Sequence, residues 1–347
     1  MTDLKRMLPE ELETYIVSLG EPKFRAKQIF TWLAKGVTEF DGMRNLPLSL
    51  RERLSAEADA GGLKLLRKQA SAKDGTAKYL WELRDGNAVE TVVMRYRRGA
   101  TVCISSQVGC RMGCAFCASA IGGLVRSLEA SEMLDEVIFS QREYGKAVTH
   151  IVLMGIGEPL DNYDNVLRFL RLVNHPEGLN IGMRHISLST CGLPERVADL
   201  AREGLPLTLA ISLHAPDDET RSKLMPANRG VGVKQIRRSC LDYFEATGRR
   251  ITLEYAMIDG VNDTPEQAQA LAELARQVRA HVNLIPLNHV EERPFGPSSP
   301  ERMRAFCAVL DKEGTNYTVR RSLGGDVDAS CGQLRRRREQ EERSARC

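Results

Sequence analysis

The chain predicts an α/β protein organised on a parallel sheet, and three observations lead there. Short apolar runs recur about six times from residue 100 onward, as TVCISSQ, HIVLMGIG, HISLST, LTLAISLHA, ITLEYAMI and HVNLIPLN. Amphipathic segments with helix-start signals lie between them: Ser131-Glu132 before MLDEVIF, Pro194-Glu195 before RVADLA, and Asp263-Thr264-Pro265 before an alanine-rich stretch. Polar and small residues with chemical potential gather where the runs end. Strand and helix alternating in this way build βα units and a parallel sheet, open or curved into a barrel, and periodicity does not choose between the two. Either way, ligands belong at the carboxyl ends of the strands.

Ahead of this rhythm, residues 1–60 read as a small helical unit. Pro9 with Glu10 and Glu11 suits a helix start, and FRAKQIFTWLA sets Phe24, Ile29, Phe30 and Leu33 on one face. The β-rich runs TAKYLWEL and AVETVVMRY are joined through Asp85-Gly86, a hairpin turn signal. After the last βα unit the chain runs into an arginine-rich tail.

A length of 347 residues allows one large domain or two ordinary ones. With 42% hydrophobic and 27% charged residues, collagen-like, disordered and disulfide-scaffold classes are excluded. Every window of about 18 residues carries charge, so no membrane span is expected. The start MTDLKRMLPEELETY has no apolar run behind basic residues, so a cytoplasmic protein is expected. The net charge, 49 − 46 = +3, announces no nucleic-acid partner by itself. Basic clusters stand at Lys23, Arg25 and Lys27, at Arg95, Arg97 and Arg98, at Arg221 and Lys223, and at Arg335 to Arg338. Each alone reads as a solvated face; four together are consistent with an RNA or DNA surface.

Nine cysteines here call for a role other than a disulfide framework. Cys110, Cys114 and Cys117 are bunched as C-x3-C-x2-C just past the first apolar run. Three thiolates so close can converge on one metal centre. A structural zinc site wants a fourth ligand, and no second C-x2-C or H-x3-H pair is available. Three cysteines on a [4Fe-4S] cluster instead leave one iron open to a substrate-like molecule.

That triad, with Phe116 before its third cysteine and a βα-repeat behind it, resembles the radical SAM superfamily. The resemblance implies a partial (β/α)6 barrel. It also implies a [4Fe-4S] cluster on Cys110, Cys114 and Cys117, whose open iron chelates S-adenosylmethionine (SAM) and whose electron splits it to a 5′-deoxyadenosyl radical. Gly155-Ile156-Gly157-Glu158-Pro159 resembles the superfamily's GGEP motif, so Gly157 and Glu158 are expected at SAM. Ser189, Ser212, Leu213, His214 and Asn288, at later strand ends, match the family's contacts to the carboxylate, ribose and adenine.

The likeness narrows further. TVCISSQVGC, MGIGEPLDNYDNV, ISLSTCGLP, SLHAPDDETRSKLMPAN, TVRRSLGGDVDASCGQL and the basic segment RAKQIFTWL resemble the RlmN/Cfr family of radical SAM RNA methyltransferases over almost the whole chain. The implied reaction methylates C2 of adenosine in 23S rRNA and tRNA, with an external electron donor and a monomeric enzyme. Carbon 2 of adenine is electron-poor and will not attack SAM's methyl, so a carbon radical must be carried to it. The resemblance gives Cys331 as the carrier, methylated by one SAM and converted to a methylene radical with a second. It gives Glu90 as the acceptor of the C2 proton. Cys103 then frees the product and leaves a transient Cys103–Cys331 disulfide. The implied organisation is a helical RNA-binding unit at 1–60, a hairpin linker at 61–98, the barrel at 99–322 and a carrier segment at 323–347. Two alternatives stay open: methylation at C8 by the same chemistry, and a non-enzymatic RNA-binding protein with a structural metal.

Overall fold

Three antiparallel strands open the main sheet: β1 (Lys64–Ala70), β2 (Ala77–Glu82) and β3 (Ala88–Tyr96). The computed structural model describes every residue except 97, 98, 322, 325, 326, 328–331 and 347. Strand β4 (Gly99–Ile104) pairs antiparallel with β3 and parallel with β5 (Val148–Leu153). Parallel strands β6 (Ile186–Thr190), β7 (Thr208–Ser212), β8 (Thr252–Met257), β9 (His281–Pro286) and β10 (Tyr317–Val319) follow. All ten lie side by side in chain order, with β1 and β10 at the open edges.

Helices α1 (Pro9–Ser18), α2 (Phe24–Ala34) and α3 (Leu48–Glu57) form the N-terminal unit. The crossovers are α4 (Ala130–Tyr144), α5 (Tyr163–Asn174), α6 (Pro194–Arg202), α7 (Asp218–Leu224) with α8 (Val233–Thr247), α9 (Pro265–Gln277) and α10 (Pro300–Lys312). The chain ends in α11 (Gln333–Arg346). Six βα units, β4–α4 through β9–α10, match the six apolar runs of the sequence.

The side-chain pattern along the strands decides between open sheet and barrel. Val102, Ile104, Ile151, Leu153, Leu188, Ile211, Leu253 and Leu284 point one way and join the core with the helices. Their alternating neighbours Thr101, His150, Ser187, Thr208, Thr252, Glu254 and Asn283 line a polar cavity on the other face. A sheet covered by helices on both faces would carry apolar residues on both. Only one face is covered here, as in a partial barrel with a wet interior.

Several expectations need correction. Phe24 is not on the buried face of α2: it is 57% exposed under the Arg25 guanidinium, and the helix buries Ala26, Ile29, Phe30 and Leu33. Helix α4 is capped at Glu129 rather than at Ser131, with the Glu132 carboxylate accepting the Glu129 N–H at 2.9 Å. Residues 61–98 join the main sheet: β1, in KLLRKQA, adds a third strand beside the hairpin, and β3 pairs with β4. The arginine-rich stretch forms α11, held to the antiparallel strands by Arg338–Glu82 at 3.1 Å and Arg67–Glu341 at 3.0 Å.

The N-terminal unit is fixed to the barrel by a buried ion pair. Lys5 Nζ meets Asp135 of α4 at 2.5 Å, the side chains being 0% and 3% exposed, and Asp135 also accepts the Gly62 N–H at 2.6 Å. Removing one partner strands a charge in a dry site. Lys5→Met is therefore expected to cost about 3–5 kcal/mol, and denaturant titration of Lys5→Met against the Lys5→Met/Asp135→Leu double variant, which recovers much of the loss, checks it.

Candidate active site

The cysteine triad lies in the loop between β4 and α4, where the backbone is pinned from several sides. The Cys110 N–H donates to Gly123 O at 3.0 Å, and the Ala115 N–H to Leu224 O at 2.8 Å. Arg293 Nη2 donates to Cys117 O at 3.1 Å. Burial, then the neighbouring Cys117, Glu158 and Asp161, push the Cys110 thiol up to about 11. Burial raises Cys114 too, with Cys117 and Cys110 adding to it and Arg221 opposing. Two thiols that resist ionisation, Cys110 and Cys114, with the Cys117 thiol beside them, suit a cationic iron–sulfur centre, which offsets their charge on binding. Among the described residues no three His, Cys, Asp or Glu side chains are grouped to hold a single ion.

Next to this loop, the exits of β4 and β5 touch backbone to backbone. A Cβ at Gly155 would lie 2.5 Å from Ile104 O. At Gly157, whose φ is +111°, it would lie 2.8 Å from the Gln107 nitrogen. The glycines of the GIGEP phrase thus serve close approach before any ligand arrives. Glu158 is 4% exposed, and its carboxylate oxygens accept the N–H groups of Cys191 at 2.7 Å and Leu160 at 3.1 Å. Burial holds its carboxyl above the usual glutamate range. This carboxylate joins the ends of β5 and β6, a structural task the motif alone did not disclose.

Farther along, Ser189 Oγ and Ser212 Oγ face each other at 3.1 Å across the ends of β6 and β7. The Leu213 side chain is fully buried in the core, its N–H donates to Glu254 O at 3.0 Å and its carbonyl accepts the Ala215 N–H at 2.8 Å. His214 takes a left-handed φ of +57°, and its Nδ1 accepts the Ala256 N–H at 3.0 Å. Burial, aided by Arg221, lowers this imidazole to about 3, so it stays neutral with its proton on Nε2. The Phe116 ring packs edge-on to it at 5.0 Å.

Sequence reading placed Arg221 in a surface basic cluster; it is 1% exposed. Its guanidinium donates to Leu213 O at 3.1 Å, Cys191 O at 2.7 Å, Ser212 O at 3.3 Å and Asn228 Oδ1 at 2.7 Å. The signal that could have found it is helical spacing, because Arg221 falls on the same face of α7 as buried Leu224. The other basic clusters are largely paired or out of view. Lys23 pairs with Glu13 at 2.9 Å, Lys27 with Glu177, and Lys223 with Glu219 at 2.7 Å. Arg95 is exposed, and Arg97 and Arg98 lie outside the described residues.

A cavity of about 300 Å³ at this end of the barrel is lined by Cys103, Cys117, His214 and Asn288, with Phe116, Met154 and Arg320. Cys103, on β4, packs with Val92, Met94 and Met154. Glu90 stands off the lining. It is 3% exposed, pairs with Lys78 Nζ at 2.8 Å, and accepts the N–H groups of Gly332 and Arg335 at 2.7 Å each. Cys331 lies outside the described residues. No disulfide joins the described cysteines, so the Cys103–Cys331 bond has no support here. At Gly332 a Cβ would sit 2.9 Å from the Ser119 nitrogen, so the C-terminal segment packs directly on residues that follow Cys117.

Gly157→Ala is expected to displace the β4 exit and lower iron incorporation several-fold while the N-terminal unit stays folded, since a Cβ there meets backbone at a strained φ. Iron and sulfide content after anaerobic reconstitution, beside circular dichroism, measures it.

Comparison with known proteins agrees with this geometry. The Radical SAM superfamily profile matches residues 104–284, and that of the ribosomal RNA large subunit methyltransferase N-terminal domain matches residues 2–59. A probable dual-specificity RNA methyltransferase RlmN of Desulforamulus reducens is 52% identical over 338 residues, covering 97% of both chains. One from Symbiobacterium thermophilum is 52% identical over 341 residues, covering 96% of this chain and 91% of its own. The crystal structure of a radical SAM methyltransferase from Sphaerobacter thermophilus superposes with a TM-score of 0.92 at 42% identity, over 96% of this chain and 99% of that one. With both ends of the chain and the triad loop inside these matches, the protein belongs to the RlmN family of dual-specificity RNA methyltransferases in the radical SAM superfamily.

Proposed function

We propose that this chain methylates C2 of adenosine in 23S rRNA and in tRNA, through a methyl group carried on Cys331. The family's cofactors are a [4Fe-4S] cluster and SAM. The observation that carries the reading is the return of the C-terminal segment. Gly332, bonded to Cys331, packs on Ser119 two residues past Cys117, beside the cavity that holds Cys103. That return supports a thiol brought from the far end of the chain to the radical-generating loop.

Cys110, Cys114 and Cys117 would hold the cluster. When bound, it and SAM supply an electron and a carbon-centred radical. Ser189, Ser212, Leu213, His214 and Asn288 would line the SAM site, and Gly157 and Glu158 shape the strand exits beside it. The neutral His214 Nε2–H is a donor suited to an uncharged acceptor such as adenine or ribose. Cys331 takes a methyl by displacement at SAM. Once a hydrogen atom has passed to the SAM-derived radical, the methylene carbon bonds to C2 of adenine; the adduct then gives up its C2 proton to Glu90 and its unpaired electron, which the cluster would take back, and the ring is aromatic again. Cys103 attacks the Cys331 sulfur, the thioether C–S bond breaks, and the product carbon takes a proton to become methyl. The disulfide formed is reduced from outside, and an external donor supplies the electron. We place the enzyme in the cytoplasm as a monomer; no helix among the described residues is long and apolar enough to cross a membrane.

Two experiments test this. Cys331→Ala is expected to form neither methylated protein nor RNA-linked protein, whereas Cys103→Ala accumulates a covalent protein–RNA species on a denaturing gel with labelled RNA. An RNA-linked band from Cys331→Ala, or none from Cys103→Ala, overturns the roles. Mass spectrometry of the product nucleoside is expected to give 2-methyladenosine, and 8-methyladenosine would overturn the position assigned. Replacing Cys110, Cys114 or Cys117 with Ala is expected to abolish iron binding and SAM cleavage together, read by absorbance and 5′-deoxyadenosine yield.

A further inference from the structure

The pair Lys78–Glu90 is buried as deeply as any charge in the molecule, with side chains 0% and 3% exposed and a separation of 2.8 Å. Desolvating two charges is costly, and such a pair by itself contributes little net stability. Its geometry indicates another use. Glu90 Oε2 accepts the Gly332 N–H and Oε1 the Arg335 N–H, each at 2.7 Å, across 242 and 245 residues of sequence. The start of helix α11 is thus capped by a residue of strand β3, far away in sequence.

The nitrogen of Gly332 belongs to the peptide bond that joins it to Cys331. One side of that peptide is gripped by Glu90. On the other, Gly332 adopts a φ of +86° against Ser119, with no room for a Cβ. Both oxygens of the Glu90 carboxyl group are thus engaged by N–H groups of the C-terminal helix start, and Lys78 Nζ, 2.8 Å from Oε2, holds the group in that orientation from the hairpin side.

We propose that Lys78 is a positioning residue for the methyl carrier: by orienting the Glu90 carboxyl group it holds Gly332, the residue bonded to Cys331, beside the cluster loop. This rests on the carrier role of Cys331 proposed above. The functional consequence is a thiol presented to SAM at a set place, with its approach governed by a charge pair on the hairpin rather than by α11.

The test uses the full chain reconstituted anaerobically. In Lys78→Met, amide hydrogen exchange in residues 332–338 is expected to quicken by about ten- to a hundredfold, the loss of a hydrogen bond to a charged group, while β6 and β7 exchange as in the parent. Methyl occupancy of Cys331 after incubation with SAM, read by peptide mass spectrometry, is expected to fall by about tenfold at equal iron and sulfide content. Unchanged exchange at 332–338, or equal acceleration throughout the chain, overturns the proposal. If Lys78→Met fails to fold, Lys78→Met/Glu90→Gln removes both charges. Gln offers one acceptor oxygen, so fast exchange at 332–338 is still expected, and parental exchange there overturns the proposal. Should Cys331 not be the carrier, the parent itself gains no methyl at residue 331 while exchange still answers to Lys78; the two readings fail separately.

Discussion

The guanidinium of Arg221 is the interaction on which the reactive end of the barrel depends. It is buried, forms no ion pair with a carboxylate among the described residues, and is satisfied by carbonyls at the ends of β6 and β7. A charge so placed is tolerated only when its donors are met and some anion stands near. The carbonyls meet the donors. The carboxylate of Asp218 stands near, sharing the Asn228 amide with the guanidinium. One side chain thereby joins two strand ends beside the cluster loop.

Around that centre the strand exits are set by contacts at backbone distance. Gly155 and Gly157 let β5 leave the sheet against Ile104 and Gln107, and Gln107 Oε1 returns a hydrogen bond to the Glu158 N–H at 3.0 Å. Glu158 then reaches across to Cys191. Residues that a motif presents as ligand contacts are first the fasteners of the platform on which a ligand rests. Preorganisation of this kind limits the reorganisation left for the moment of reaction.

The reactive end is completed from both ends of the chain. The three added strands bring Glu90 and Lys78 beside the parallel sheet, and the last helix returns to them through Gly332 and Arg335. The polar inner face of the barrel, with His150, Glu254 and Asn283, stays open to water below the reactive cavity. The long-range hydrogen bonds of Gly332 and Arg335 fix the start of α11 on the hairpin.

The sequence by itself determined the βα rhythm, the cysteine triad and the family. Each is written locally, in the period of apolar residues, in ligand spacing and in contiguous motifs. It was the family resemblance, rather than the period of the apolar runs, that marked Ser189, Ser212, His214, Asn288 and Cys103. Only the tertiary structure decided that the hairpin belongs to the barrel sheet, that Arg221 is interior and that Glu90 holds the start of α11. It alone showed that the sheet covers one face. Most of these are contacts between residues far apart in the chain, and local spacing encodes little of them beyond the face of α7 that Arg221 shares with Leu224. A lysine or glutamate in a strand has the same local pattern whether it faces water or a partner, and burial is settled by what the rest of the chain packs against it.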